Sequence, residues 1–505
     1  MPDLRITDHG ARPGGEHLCT ESIQATIDAV HAGGGGRVRV AGGTYLTGTI
    51  ELRSRVTLEI AGDSRLLGSP RLEDYRRPLQ WGHHNDITPW HLVQAVEAEE
   101  IAITGAGEIA GNGRAFWQSE RPHAWAFWKE KLERVSPMIE FQRCRGVRVE
   151  NITLCDSAGW TLHPHDCHHL RISGIRIRNP FFGPNADGID VTGGDSIIIS
   201  DCDILTGDDA IALKTSEYSE PVTNVTITNC VLRTSCVGVR IGYESRRDFR
   251  DIVISNCVIP RCSRVFDLRS VEGASIERVR ISNITASTNS GWPVNRAVEI
   301  VNLRRSNVFK NSLHAGHPDF GRDKPLTQFG RVGDITVRGL DVITDGRVMV
   351  VGEPDAPVDN VRFEDVRLHY PMIDDPDPAM KHAQSTGFLP GDHADARTAR
   401  AAFVVKQASR VTLRDVEVRW PHGPVPEDWH LLEPGNPNLQ INKDYFEPNL
   451  DAIRAGKHVP PFHAVWARDA KDLRIEGGQL SAAVPGIADV QREGGTADEI
   501  GFAQS

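Results

Sequence analysis

Residues 206–215 read "TGDDAIALKT", with Asp208 and Asp209 side by side at the head of an apolar run. A third aspartate, Asp187, opens the similar segment "DGIDVT", 22 residues before Asp209. Neighbouring carboxylates repel, and the repulsion raises the proton affinity of one of them, so an acid survives near neutrality beside an ionised partner. Hydrolysis of a glycosidic bond needs both forms. A carboxylic acid protonates the departing oxygen and a carboxylate activates water, the two being ~6.5–9.5 Å apart in the inverting geometry. Taken singly, each aspartate also fits a turn residue at a strand end. Calcium, which favours clustered oxygens, is a weaker reading, because no loop pattern for it is present.

Acids so far apart in sequence need a scaffold that repeats. The segments "VRVENITL", "LRISGIRI", "IIISDCDI", "VTITNCVL", "IVISNCVI" and "RVRISNIT" resemble one another. Their marker residues before an Asn, Asp or Gly turn are Val149, Ile172, Ile199, Ile227, Ile254 and Ile281, in steps of 23, 27, 28, 27 and 27. Weaker copies carry Leu58, Ile103, Val337, Phe363, Leu413 and Ile475. Short β-branched runs with period-two alternation are strands. With no helical segments between them, a βαβ architecture is excluded. An all-β, right-handed parallel β-helix is expected, one rung per coil at ~4.8 Å spacing. It should form one domain over residues 1–485, followed by a tail at 486–505. Loop insertions fall near 304–330, 371–399 and 421–461, where they would wall a cleft.

"TESIQATIDAV" predicts a helix that caps the open end, with Thr20 as its N-cap and Ile23, Ile27 and Val30 on one face. The "GGGG" at 33–36 follows that helix, so it reads as a turn into the first strand, "RVRV", and not as a phosphate-cradling loop. Cys202, Cys230 and Cys257 recur at one position of three coils, as an inward ladder of small apolar groups.

The repeat also serves as a ruler. Steps of 27, 22, 28 and 27 from Trp160 align "WTLHPH", "DGIDVT", "DAIALK", "VGVRIG" and "RVFDLR". Leu162, Ile189, Val191, Ile211, Leu213, Val239, Ile241, Phe266 and Leu268 then point inward, and the alternate places face out. The outward fourth places are His163, Asp190, Ala212, Arg240 and Asp267, and the sixth include Lys214 and Arg269. Asp187 falls beside Asp209, with Asp208 at the preceding turn. Such a charged face suits a carbohydrate cleft, in which Asn185, His163, Lys214, Arg240, Glu244, Asp267 and Arg269 would contact the sugar. Arg240 and Asp267 also fit a surface ion pair.

The whole chain constrains partners. A formal net charge of -11 over 505 residues argues against nucleic acid. No apolar run approaches the ~18 residues of a membrane span. Nine cysteines without a CxxC pattern support neither zinc nor a disulfide framework, so no metal and no cofactor are expected. The histidines of "HPHDCHH", residues 163–169, read as a solvated turn and not as a metal site. "QWGHHNDITPWH", residues 80–91, fits a stacking platform for a sugar ring or plain loop packing. With no basic and apolar leader at the amino terminus, a cytoplasmic location is expected.

"GPNADGIDV", "TGDDAIALKT" and "GWTLHPHDC" together resemble glycoside hydrolase family 28, the polygalacturonases and related pectin-degrading β-helix enzymes. "ITDHGARPGG", "GTYLTGTIEL" and "EEIAITGAGEIAGNG" resemble its amino-terminal part, so the likeness spans roughly residues 3–300. It implies that Asp208 is the general acid, that Asp187 and Asp209 orient and activate the attacking water, and that Asn185 supports them. Two motifs depart. "CVG" puts Val237 where the family has the histidine of Gly-His-Gly, and "DLR", Asp267 to Arg269, replaces the Arg-Ile-Lys that grips a galacturonate carboxylate. Arg240 with Arg269 would then form a rearranged grip for a different sugar. An inverting glycosidase is expected, acting on a pectin-type or related acidic oligosaccharide other than plain polygalacturonate. A lyase or epimerase on the same scaffold, or a non-catalytic carbohydrate-binding β-helix, are the alternatives.

Overall fold

The computed structural model describes residues 2–79, 87–117, 133–290, 295–303, 328–375, 393–427, 429–434, 443, 446–494 and, by backbone alone, 500–503. It is a right-handed parallel β-helix whose contacts divide into two compact units, Met1–Thr234 and Ser235–Ser505.

In the first unit three parallel ladders run side by side. One carries the marker residues in register, Leu58 on Ile103 on Val149 on Ile172 on Ile199 on Ile227. A second stacks short strands from Thr44–Thr47 to Val231–Thr234. The third, which holds the aspartates, joins Ile50–Glu51, Val93–Val96, Ile139–Gln142, Leu162–Ser173, Ile189–Ser200 and Ile211–Thr215. The turn after each marker explains the repeat's chemistry. Asn151, Gly174, Asp201 and Asn229 all take positive φ, near 60°. Only glycine and the short polar residues enter that left-handed region cheaply.

Every residue assigned inward by the ruler is buried. Ile199 lies between Ile172 and Ile227 with no exposed surface. Ile199→Ala is therefore expected to destabilise the protein by about 2–5 kcal/mol, from lost burial plus a cavity that a stacked column closes poorly. Urea unfolding measures it, and a loss under about 1 kcal/mol would mean that the column repacks. Cys202 and Cys230 are buried, and each thiol donates to the carbonyl two residues back, Ser200 and Thr228, both at 3.2 Å.

The helix spans Thr20–Ala32 and buries Ile23, Ile27 and Val30 against the strands Asp3–Arg5 and Gly36–Val40. Its cap residue is Cys19 and not Thr20, because the Thr20 hydroxyl is turned to accept the N–H of Gly48 at 2.8 Å. The glycine run makes the expected turn, although "RVRV" is not the first strand: Asp3–Arg5 precedes it and pairs with it. Gly35 has φ 100°, and a Cβ there would stand 2.6 Å from the Arg55 carbonyl oxygen.

In the second unit the markers again stack in register, from Ile254 through Ile281, Val337, Phe363 and Leu413 to Ile475. A neighbouring ladder joins Val237–Ser245, Arg264–Ser270, Arg296–Asn302, Arg347–Val351, Ala401–Arg419 and His463–Glu476. Cys257 is buried and donates to Ser255. The segment read as a tail from 486 adds a rung, because Val490–Glu493 pairs with the strand before it, Val490 opposite Val465. Most of the expected insertions at 304–330 and 371–399 lie outside the described residues, as do residues 80–86 of the expected sugar platform. The third insertion lies partly within the described residues, with Trp429, Leu431, Phe446 and Ile453 in an apolar cluster with Met372.

Candidate active site

The two rungs that carry the aspartates are tied through their main chains. Gly188 donates to the Asp209 carbonyl at 2.8 Å, and the main-chain carbonyl of Asp187 accepts the N–H of Thr161 from the preceding rung at 3.0 Å. Gly188 is needed for this approach, since a Cβ there would lie 2.4 Å from the Ala210 carbonyl oxygen. Ile189 then pairs with Ile211 and Val191 with Leu213, which confirms the 22-residue step that put Asp187 beside Asp209. Asn185, before this strand, holds φ 42° and brings its amide nitrogen to 3.5 Å from Asp208 Oδ2. Asp208 Oδ1 accepts the N–H of Asp209 at 3.0 Å, and the Thr234 hydroxyl donates to the Asp208 carbonyl. Carboxylate oxygens of Asp208 and Asp209 lie within 4.8 Å of each other.

The three carboxyls have different surroundings. Asp187 and Asp209 are each 3% exposed, whereas Asp208 is only half-buried. Asp187 Oδ1 has no hydrogen-bond partner among the described residues. Burial pushes the Asp187 carboxyl well above the usual carboxylate range; Asp190, Asp208 and Asp209 push the same way and Lys214 opposes them. Burial and like charge thus place a proton in this group of acids.

Here the structure corrects the reading of the outward places. Alternation points them away from the interior of the coil, yet His163, Asp190, Lys214, Arg240, Asp267 and Arg269 are all buried. His163 is not positioned as a sugar contact: Nδ1 lies 2.6 Å from Glu140 Oε2 and Nε2 lies 2.9 Å from the Thr192 hydroxyl. Nor is "HPHDCHH" a solvated turn, since Leu162–Ser173 is a single strand whose His163 ring stacks on His165. Burial raises the Glu140 carboxyl to about 7, although His91 and His165 pull it down. The Lys214 ammonium stands 3.5 Å from Asp190 Oδ1 and 4.4 Å from the centre of the Trp160 ring.

In the second unit, Arg240 meets Asp267 at 2.7 Å, and the strand register sets the two opposite each other. Arg269, 1% exposed, reaches Asp267 at 3.3 Å and Glu299 at 2.8 Å, and Arg264 lies 3.7 Å from Glu299. Burial favours a neutral Asp267, but Arg269, Arg240 and Arg264 outweigh it and hold the carboxyl below its ordinary range. The Arg240–Asp267 pair is therefore buried and is not a surface ion pair, because desolvated charges persist only when matched. Arg269 and Asp267 complete each other and do not present a free grip. Glu244 is half-buried on the strand Val237–Ser245.

Sequence reasoning missed Glu140 and Glu299 and gave Asp190 no role. The ruler reaches Glu140, one step of 23 before His163. It does not reach Glu299, which pairs with Asp267 across a step of 32, outside the 27-residue rule.

The family model described as "Glycosyl hydrolases family 28" matches residues 42–300. A "Probable polygalacturonase" of Vitis vinifera is 28% identical over 265 residues, 49% of this chain and 52% of that protein. An "Exopolygalacturonase" of Zea mays is 22% identical over 302 residues, 57% of this chain and 68% of its own. The chain spans about half the length of the first curated relatives it matches. Among solved structures, a hyperthermoactive exopolygalacturonase from Thermotoga maritima aligns with TM-score 0.64 at 20% identity, covering 83% of this chain and 92% of that one. A family 28 exopolygalacturonase of Yersinia enterocolitica aligns with TM-score 0.62 at 17% identity, covering 83% and 75%. At these identities the structures speak for the fold alone.

Proposed function

The chain belongs to glycosyl hydrolases family 28, and from that membership we propose an inverting glycosidase that cleaves a pectin-type or related acidic oligosaccharide other than plain polygalacturonate. The observation that carries the proposal is the trio in the first unit: Asp187 and Asp209 buried on adjacent rungs, with Asp208 half-buried beside them. Asp208 is the member that a glycosidic oxygen can reach, so it delivers the proton as general acid. Asp187 and Asp209 hold and activate the water. Coupled carboxyls titrate as a set, so the proton that burial places on Asp187 in the free enzyme belongs to the trio and not to one oxygen.

The choice of sugar is read from the positions that depart from the family's motifs. At the positions matched to the family's carboxylate grip, Arg269 is already paired by Asp267 and Glu299, and the additional Arg240 is paired by Asp267. A uronate carboxylate approaching either guanidinium would compete with a buried partner, and removing that partner leaves a buried charge unmatched. The relatives named polygalacturonase support the reaction class, and this matched network supports a less anionic sugar than galacturonate.

A panel of pectic and hemicellulosic oligosaccharides, with the product anomer followed by NMR in real time, tests the reading. The expected product is the inverted anomer, with homogalacturonan oligomers cut slowly or not at all. A retained anomer or an unsaturated product would overturn the mechanism. Rapid cleavage of homogalacturonan would overturn the substrate.

A further inference from the structure

Three residues before Asp190, just ahead of the strand Ile189–Ser200, stands Asp187, and Asp190 itself is fully buried without being part of the trio. A buried carboxylate next to three others costs free energy unless a cation is close. Lys214 supplies that cation. It comes from the strand Ile211–Thr215, whose head is the Asp208–Asp209 pair, and its ammonium is held between Asp190 and the face of Trp160. An ammonium over an indole ring is attracted by the ring's negative face, which fixes the charge in place without neutralising it. Strand register sets Thr192 opposite Lys214 and Asp190 opposite Ala212, so Lys214 must lean back along its strand to meet Asp190. That places one fixed positive charge and one fixed negative charge beside Asp187.

We propose that Lys214 and Asp190 form a positioning pair that governs when Asp187 is ionised, Lys214 favouring its carboxylate and Asp190 opposing it. The inference deepens the glycosidase reading and rests on it for its effect on turnover. Lys214, expected from the sequence to touch sugar, acts here through Asp187. Among the described residues, the charged groups that act most on Asp187 are Asp190, three residues on in the strand Ile189–Ser200, and Asp208, Asp209 and Lys214 from the following rung. From the preceding rung, Trp160 packs on Lys214, and the His163–Glu140 pair stands beyond. Burial and the three aspartates favour the protonated form of Asp187, and Lys214 alone of these opposes it.

The sign follows. A water-activating Asp187 works as carboxylate, so activity rises with pH as it ionises. Lys214→Met removes the opposing cation and moves the acid limb of the kcat profile to higher pH by about one unit. Asp190→Asn removes a repelling carboxylate and moves the same limb to lower pH by a similar amount. Lys214→Arg, which keeps the charge, returns the limb most of the way to the wild-type position. A merely structural role would lower activity in both variants and leave the limb in place, and that outcome overturns the proposal. Carbon-13 NMR of aspartate-labelled full-length protein, with the Asp187 carboxyl assigned by its loss in Asp187→Asn, reads the ionisation without any substrate. Opposite shifts of that resonance's midpoint support the pair even where no glycoside is cleaved, in which case the glycosidase reading alone fails. Shifts in the same direction, or none, reject the pair whatever the substrate.

Discussion

Asp208→Asn is expected to lower kcat on an unactivated oligosaccharide by about 10²–10⁴-fold, the usual contribution of a positioned general acid. The substitution keeps the shorter local hydrogen bond, because an asparagine side-chain carbonyl can accept the Asp209 N–H as Asp208 Oδ1 does at 3.0 Å, and gives up only the 3.5 Å one from Asn185 to Oδ2. The unfolding midpoint should therefore hold, or rise slightly, since one of the carboxylates that repel Asp187 is gone. KM should change little, because what is lost is an interaction made as the bond breaks. An aryl glycoside with a good leaving group needs less protonation, so its loss should be much smaller. Unchanged turnover on the natural linkage would move the acid to another member of the trio, Asp187 being the member whose proton burial already favours.

The largest stability effect is expected at Arg269. Its guanidinium is buried between Asp267 and Glu299, so Arg269→Met leaves buried Asp267 with Arg240 alone and buried Glu299 with only the 3.7 Å approach of Arg264. Removing one partner of such a network costs about 3–5 kcal/mol, mostly as the penalty of leaving the opposite charges unmatched. Urea unfolding should show a loss of this size. Additional replacement of Glu299 by Gln should recover part of it, as Arg264, 3.7 Å from Glu299, then loses its neighbour but no anion stays stranded there. If Arg269→Met instead raised KM and left the unfolding curve unchanged, Arg269 would be a substrate grip, and the matched network would no longer bear on the choice of sugar.

Much of this molecule was legible before any coordinates. The markers fell in register within each unit because a residue that stacks in a β-helix column must be apolar and must recur once per coil. The Asn, Asp and Gly residues that follow them were visible for a separate reason, the left-handed backbone that each turn requires. The same ruler set Asp187 against Asp209, and the main-chain bonds between their rungs bear it out. Thr20 went wrong because its hydroxyl had a better partner in Gly48, 28 residues away, than in its own helix. Glu299 was hidden because the step from Asp267 breaks the period.

What the sequence by itself determined was therefore direction and spacing: which side chains enter the coil, which leave it, and which aspartates stand side by side on adjacent rungs. Only the tertiary structure decided the state of the charges. Alternation says on which side of a sheet His163, Asp190, Lys214 and Arg269 lie, but not that this side is buried or which partner each one meets there. A carboxyl's proton and an arginine's availability depend on solvent access and on charges a few ångströms away. Those distances are set by side chains from different coils, and no single stretch of the chain encodes them.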